Sequence, residues 1–348
     1  MKDEKYTLFQ LIHDYLIIYL PNQRNVSPNT IRSYRKALEE LLDYVKEIEQ
    51  IPRNRIVFEN LTAEKILAFL AYLESEKGCS VGTRNTRFAA IRAFMSYAAD
   101  HDITLVATLN QMKKIPFHKQ NNFHAIQYMS MEAITAMVQQ TNDRTSKGLR
   151  DRFFMILLYD TGARVQEVLD IKLCDFQLGR TPKLTLCRKG RKTRVVPLME
   201  KTVQHLQKYL SIFHPDAELT AESPLFYSIT HGEKRPLSAR MVNYILQKYG
   251  EAARLVCPEV PENVHAHMYR HSRAMHLYQE GMDLTLISQW LGHSQLETTQ
   301  IYAHSDTEHK RKAIASATPQ DNPLYSKLNS SRYKIDDEDM LKKLIGLK

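Results

Sequence analysis

This chain lacks the features that would place it in an oxidising compartment or a membrane. Its four cysteines, Cys79, Cys174, Cys187 and Cys257, form no C-x-x-C pair, and they read as reduced thiols of a cytosolic protein. No apolar run approaches the roughly 20 residues that cross a bilayer. Lys2, Asp3, Glu4 and Lys5 precede only a short apolar run, so no secretory signal peptide is expected. There is no internal repeat, low-complexity tract or H-E-x-x-H motif. His265, His267, His271 and His276 crowd one stretch, but Cys257 is the one thiol nearby and no carboxylate cluster accompanies them, so no metal is expected.

What is present suits a two-domain, mainly helical protein with a polyanionic partner. Two domains are the natural expectation for 348 residues, and 43% hydrophobic content suffices for real cores. The net charge of +9 and the isoelectric point near 9.2 favour nucleic acid, although a merely basic protein would look the same.

Four amphipathic helices are expected in the first 110 residues. Leu8, Leu11, Ile12, Tyr15, Leu16 and Tyr19 mark the first, with Pro21 expected to stop it. Ser27-Pro28 opens the second, lined by Ile31, Tyr34, Leu38, Leu41, Leu42 and Val45. The third follows Thr62 and the fourth follows Ser80. Arg32, Arg35, Arg84, Asn85, Arg87 and Arg92 sit among the polar positions of the second and fourth; taken alone, they read as a solvated face. Residues 111–127, with Lys113, Lys114, Pro116 and Lys119 but no helical periodicity, read as a basic linker. Helical patterns resume at Ser130, and the apolar stretch 152–159 reads as a core helix. Two strands, 184–187 and 193–196, flank the turn Arg188-Lys189-Gly190-Arg191-Lys192, and helices dominate again after Lys201.

The stretch 264–306 organises the chain. One helical pattern carries His267, Arg270, His271, Ala274 and Met275 and ends at Gly281. A second starts after Asp283 and stops at Gly292; a third opens at Ser294 with Glu297 completing a capping box and carries Tyr302. The polar residues left over are His267, Arg270, His293 and Tyr302: a fixed cation, two imidazoles and a potential nucleophile, near helix ends where a phosphate can be held.

H-x-x-R-H, then L-G-H, then T-T-x-x-Y, at these spacings, resembles the C-terminal signature of the tyrosine recombinase (phage integrase) family, with its Xer-like and mobile-element members as the nearer match. Upstream, Thr161-Gly162-Ala163-Arg164-Val165-Gln166-Glu167 resembles the family's T-G-x-R-x-x-E, and the run from Arg188 to Leu198 resembles its basic β-hairpin. Arg188 stands where glycine is usual, Tyr269 where leucine is, and Arg273 where an apolar residue is. The likeness covers nearly the whole chain.

The resemblance implies a fold and a set of roles. The fold would be mainly α: a four-helix core-binding (SAM-like) domain over 1–110, the linker 111–127, and a mostly helical catalytic domain over 128–318 with a small β-hairpin sheet, together forming a C-shaped clamp on DNA. Catalytic residues would be Arg164, Lys189, His267, Arg270, His293 and Tyr302. Tyr302 would attack phosphorus, Arg164 and Arg270 would neutralise the phosphate, Lys189 would protonate the leaving 5′-oxygen, and the two histidines would hydrogen-bond the phosphate and assist proton movement at the nucleophile. Arg32, Arg35, Arg84, Asn85, Arg87, Arg92, Lys113, Lys114, Arg188, Arg191 and Lys192 would contact DNA. Glu167 would support Arg164, and His271 reads as a buried structural residue. The chain would be a site-specific DNA recombinase using neither cofactor, metal nor ATP, and passing through a 3′-phosphotyrosine and a Holliday junction. Its partners would be a duplex site with inverted repeats and either copies of itself, paired per site and tetrameric in the synapse, or a related recombinase subunit. Its place would be the cytoplasm, at the nucleoid. The same cleavage chemistry serves type IB topoisomerases and telomere resolvases, and a non-catalytic DNA-binding regulator on a decayed recombinase fold is the reading from another class. Residues 319–348 form a polar tail with an apolar stripe of Met340, Leu341, Leu344, Ile345 and Leu347, expected to dock on a neighbouring subunit.

Overall fold

The computed structural model describes residues 7–119, 126–188, 192–292 and 297–305, with isolated positions further on. The chain divides into two units, Met1–His124 and Ala125–Lys348.

The first unit is all helical. α1 (Leu8–His13) starts at a capping box in which Thr7 and Gln10 satisfy each other's backbone N–H groups. Pro21 does not end this first element as expected, because the chain continues past His13 as a π-helix, Asp14–Gln23. There the Arg24 N–H reaches back five residues to the Tyr19 carbonyl (3.0 Å), and the wider turn accommodates a proline that an α-helix would reject. α2 (Pro28–Ile48), α3 (Ala63–Ser75) and α4 (Val81–His101) each begin at a hydroxyl N-cap: Ser27, Thr62 and Ser80. Leu38, Leu41, Val45, Ile66, Phe69, Leu70, Phe88, Ile91, Phe94 and Met95 fill the core between them. A further helix, α5 (Val106–Lys113), runs into the stretch read as linker. Met112 is fully buried there, so the tertiary core, not local periodicity, sets its end.

In the second unit, α6 (Met131–Gln139) and α7 (Ser146–Thr161) pack into an apolar core around Phe153, Phe154, Leu157 and Phe226. The short α8 (Val165–Leu169) follows. An antiparallel sheet in the order β1-β2-β3 comes next: Phe176–Gln177, Lys183–Arg188 and Lys192–Pro197. Leu184 pairs with Val196, and Arg188 pairs with Lys192 as the last rung before the turn. α9 (Glu200–Phe213) leads to a second hairpin, β4 (Tyr227–Thr230) and β5 (Glu233–Pro236), where the sequence suggested helix. Its turn, His231-Gly232, has φ of 53° and 81°, the left-handed pair that a tight two-residue hairpin requires. β5 is exposed throughout and carries no alternation to reveal it.

The helices α10 (Ala239–Arg254), α11 (Ala266–Gln279), α12 (Leu284–Leu291) and α13 (Glu297–Ser305) follow. α12 follows its Asp283 cap and closes at Gly292 in the left-handed conformation, as the sequence suggests. Ser294, the expected capping residue of α13, lies outside the described residues. A mostly helical chain with small antiparallel sheets is thus the architecture that the motifs imply.

Candidate active site

The site starts from two helix ends. α7 ends at Gly162 (φ 57°) and α12 at Gly292 (φ 65°). A Cβ on Gly162 would lie 2.9 Å from Leu291 Cδ2, and one on Gly292 3.0 Å from Arg194 Cδ. Glycine at both positions lets the ends of α7 and α12 and the strand β3 close together.

Arg270 lies in that junction. It is 1% exposed, on α11, and its guanidinium joins the two helix ends. Nη1 donates to the Gly162 carbonyl and Nη2 to the Leu291 carbonyl, each at 2.7 Å. Both acceptors belong to helix C-termini, where orphan carbonyls and the helix dipole favour a cation. Burial, then the neighbouring cations Arg164 and Arg194, push the Arg270 guanidinium down to about 9, which leaves it charged at neutral pH.

Arg164 caps α8 and is half-buried. Its backbone N–H donates to Glu167 Oε2 and its Nη1 to Oε1, both at 3.0 Å. Arg194 Nη1 donates to Glu167 Oε2 at 2.9 Å. Burial alone would raise the Glu167 carboxyl, but the Arg164 N–H, the Arg194 charge and their hydrogen bonds hold it below the usual range. Glu167 is therefore a buried anion that fixes two arginines, the supporting role its place in the motif suggests.

Arg194 is the site residue that the sequence reading did not single out. The signal was its strand: along β3 and beyond it, Arg194, Val196 and Leu198 alternate inward while Thr193, Val195 and Pro197 face out. An inward arginine in that alternation needs an anion.

Tyr302, on α13, is 1% exposed and packs in a cluster with Ala274, Met275, Ile287 and Leu291. Its hydroxyl makes a 3.0 Å hydrogen bond with His271 Nδ1. Burial pushes the phenol up to about 12 against the pull of Arg270 and Arg164, so it is protonated at neutral pH. His271 is half-buried, and burial, then His267, Arg270 and His265, push it down to about 4. His267, in the first turn of α11, meets His271 edge to face at 4.4 Å between ring centroids. Its own imidazole is held below the usual range by desolvation, then by Arg270, His265 and Arg164. Among the described residues no cluster of three or more metal-ligating side chains forms. Lys189, Arg191 and His293 lie outside the described residues.

The DNA-contact set divides. Arg32 and Arg35 on α2, and Lys113 and Lys114 at the end of α5, are exposed. Arg84, expected on a DNA-reading face, is instead 1% exposed: it donates to Asn85 Oδ1 (3.1 Å) and the Pro116 carbonyl (3.3 Å) and pairs with Glu74. Asn85, expected to contact DNA, brackets the backbone of His118, donating to its carbonyl (2.9 Å) and accepting from its N–H (3.2 Å). Arg87 is buried in a two-pronged ion pair with Glu40. Arg92 lies over the Phe88 and Phe117 rings at 5.6 and 5.3 Å. These four hold the unit together, because each meets a partner on the protein before it can meet solvent.

Cations converging beside a buried phenol fit an anionic phosphate and an oxygen nucleophile. Fold and site together define an enzyme class that acts on phosphodiesters. The comparisons identify the family. Residues 127–309 match the phage integrase family and residues 12–102 its N-terminal SAM-like domain. A putative integrase/recombinase, y4rC, of Sinorhizobium fredii is 32% identical over 332 residues, 95% of this chain and 96% of that one. The tyrosine recombinase XerC of Staphylococcus carnosus is 28% identical over 308 residues, 88% of this chain and 97% of that one. In fold, the XerH site-specific recombinase bound to a palindromic difH substrate matches with a TM-score of 0.63 at 22% identity, over 84% of this chain and 81% of that one. The chain belongs to the phage integrase family, the tyrosine recombinases, and is a site-specific DNA recombinase.

Proposed function

We propose that this recombinase cuts and rejoins DNA through Tyr302, with Arg164, Lys189, His267, Arg270 and His293 as the rest of the catalytic set. The observation that supports this most is that Arg164, Arg270 and Tyr302, from three separate stretches, lie within electrostatic reach of one another. Tyr302 Oη attacks the scissile phosphorus, and the bond from phosphorus to the 5′-oxygen breaks. Lys189 gives that oxygen its proton, and a 3′-phosphotyrosine remains. Arg164 and Arg270 neutralise the charge that builds on the non-bridging oxygens; losing one such group costs ~10²–10³ in rate. His267 and His293 hydrogen-bond the phosphate and assist proton movement at the nucleophile. The bond energy stays in the phosphotyrosine, so resealing after strand exchange through a Holliday junction draws on no nucleotide.

The substrate is a duplex with two inverted half-sites, each half-site holding one subunit. Two such sites pair in a tetramer of this chain, or of this chain with a related subunit, and act at the nucleoid. Both units, Met1–His124 and Ala125–Lys348, would contact the duplex, with Arg32, Arg35, Lys113, Lys114 and the hairpin cations Arg188, Arg191 and Lys192 on its phosphates. The tail 319–348 would dock on the neighbouring subunit.

A nicked suicide duplex, which traps the cleaved strand, tests the reading. Wild-type protein should form a covalent protein–DNA adduct. Tyr302→Phe should bind the same DNA and form none. A normal adduct yield from the phenylalanine variant removes Tyr302 from its role.

A further inference from the structure

His271 is the one described side chain hydrogen-bonded to the Tyr302 hydroxyl, and the catalytic set above leaves it without a role. Its position suits one. It sits on α11 directly after Arg270, so one helix turn carries both the phosphate-binding cation and the partner of the nucleophile. α13 brings Tyr302 to it from the other side, and the cluster of Ala274, Met275, Ile287 and Leu291 excludes water from the phenol. An oxygen nucleophile buried this way can lose its proton only to a neighbour in contact. Among the described groups around it, Arg270 and Arg164 are cations and cannot accept a proton. His267 touches the edge of the His271 ring and leads from it toward the surface, where His267 is exposed.

We propose that His271 is the proton acceptor of the Tyr302 nucleophile, a catalytic residue in addition to the six. This rests on Tyr302 being the nucleophile. In the resting protein the phenol donates its hydrogen bond to Nδ1, and the ring carries its own proton on Nε2. As Oη bonds to phosphorus, the O–H bond breaks and its proton moves to Nδ1, giving an imidazolium. The electron pair of the bond from phosphorus to O5′ leaves with the 5′-oxygen, which takes a proton from Lys189. Resealing runs the same transfers backwards, so the protons balance over a cycle. The phosphate between Arg164 and Arg270 offsets the cations that disfavour a charged imidazole, so His271 becomes a stronger base when DNA is bound. The described charged and titratable groups acting on His271 are His265 at the N-cap of α11, His267 and Arg270 of α11, and Tyr302 of α13.

Two measurements on the full chain test this. In the first, ring-nitrogen NMR of 15N-histidine protein compares wild type with Tyr302→Phe, the His271 signal being the one missing from His271→Gln. Loss of the phenol should move the Nδ1 resonance to that of an acceptor without a donor; an unchanged resonance overturns the proposal. The second follows single-turnover adduct formation on the nicked duplex against pH. Glutamine can hold the hydroxyl but cannot take its proton. His271→Gln should bind DNA normally, form adduct ~10²-fold more slowly near neutral pH, and gain rate about tenfold per pH unit as hydroxide replaces the missing base. Wild-type rate with a wild-type pH profile in His271→Gln overturns the proposal and leaves Tyr302 in place. Normal adduct from Tyr302→Phe instead removes the reading of Tyr302 itself.

Discussion

In the proposed mechanism Arg270 serves stability and chemistry together. Its two donors satisfy two helix-terminal carbonyls, so the cation is held in its place before any phosphate arrives. Arg270→Lys keeps the charge but loses the fork. We expect it to leave one carbonyl unsatisfied, lower stability by ~1–3 kcal/mol, and slow adduct formation ~10²–10³-fold. Thermal unfolding and the nicked duplex measure the two effects, and a lysine variant with both wild-type values contradicts the account. The buried histidines make a second expectation at this scale. His271 titrates at 6.5 in the unfolded chain and at about 4 when folded. Between these values the unfolded state binds more protons, so stability rises with pH. The contribution is complete above 6.5 and is lost as pH falls through 4. His205, His214 and His276 are shifted down in the same direction. The melting temperature should therefore fall steadily from about pH 7 to about pH 5, and a rise on acidification would contradict the burial of these rings. Arg164, Arg270 and Tyr302 were legible in the sequence because their motifs fix residue types at set spacings. The bond from His271 to Tyr302 was not, because it joins residues 31 apart through the packing of α13 on α11.

At the scale of elements, the helices were legible where a cap and an apolar stripe agree, as in α2 after Ser27-Pro28 and α12 between Asp283 and Gly292. They were illegible where tertiary contacts overrode local signals, as in the π-helix through Pro21, the buried end of α5 and the exposed hairpin β4–β5. The departure at Arg273 has a local cause: its guanidinium pairs with Asp160 at 3.3 Å and lies over the Tyr159 ring at 5.2 Å, which binds α11 to α7. The polar face of α4 shows the limit of reading charge as DNA contact. Periodicity puts Arg84, Asn85 and Arg87 on the helix but cannot say that Glu74, Glu40 and the backbone of 116–118 face them. α4 thus anchors the chain as it leaves the first unit. Asn85→Ala should free the His118 backbone by removing two hydrogen bonds, at a cost of ~1–2 kcal/mol. Limited proteolysis should then cut near residue 118 several-fold faster. Unchanged cleavage kinetics would show that the bracket does not hold the segment.

The net charge of +9, with exposed Arg32, Arg35, Lys113 and Lys114, predicts that DNA binding releases several counterions. The logarithm of the binding constant should fall steeply and linearly with the logarithm of salt, and a nearly flat dependence would contradict a phosphate-gripping recombinase. The proposed docking of the tail carries an expectation for assembly. Met340, Leu341, Leu344, Ile345 and Leu347 form an apolar stripe at helical spacing after an acidic run, and the described Met340 is 56% exposed. A segment this short does not hold a helix alone in water, so the stripe needs a partner surface. A tail that docks head to tail from one subunit onto the next closes a ring, since each copy gives one tail and receives one. Such a ring would also tie the placement of α13, and with it Tyr302, to synapsis. Truncation after Ser331 should then leave binding to a single site intact and abolish pairing of two sites and recombination. Leu341→Asp with Leu344→Asp should reproduce the defect in the full-length chain, because it removes the stripe and keeps the length. Native gels of single-site and paired complexes, beside a two-site recombination assay, separate the steps. Normal synaptic complexes and full recombination by the truncated protein would show that the tail plays no part in assembly.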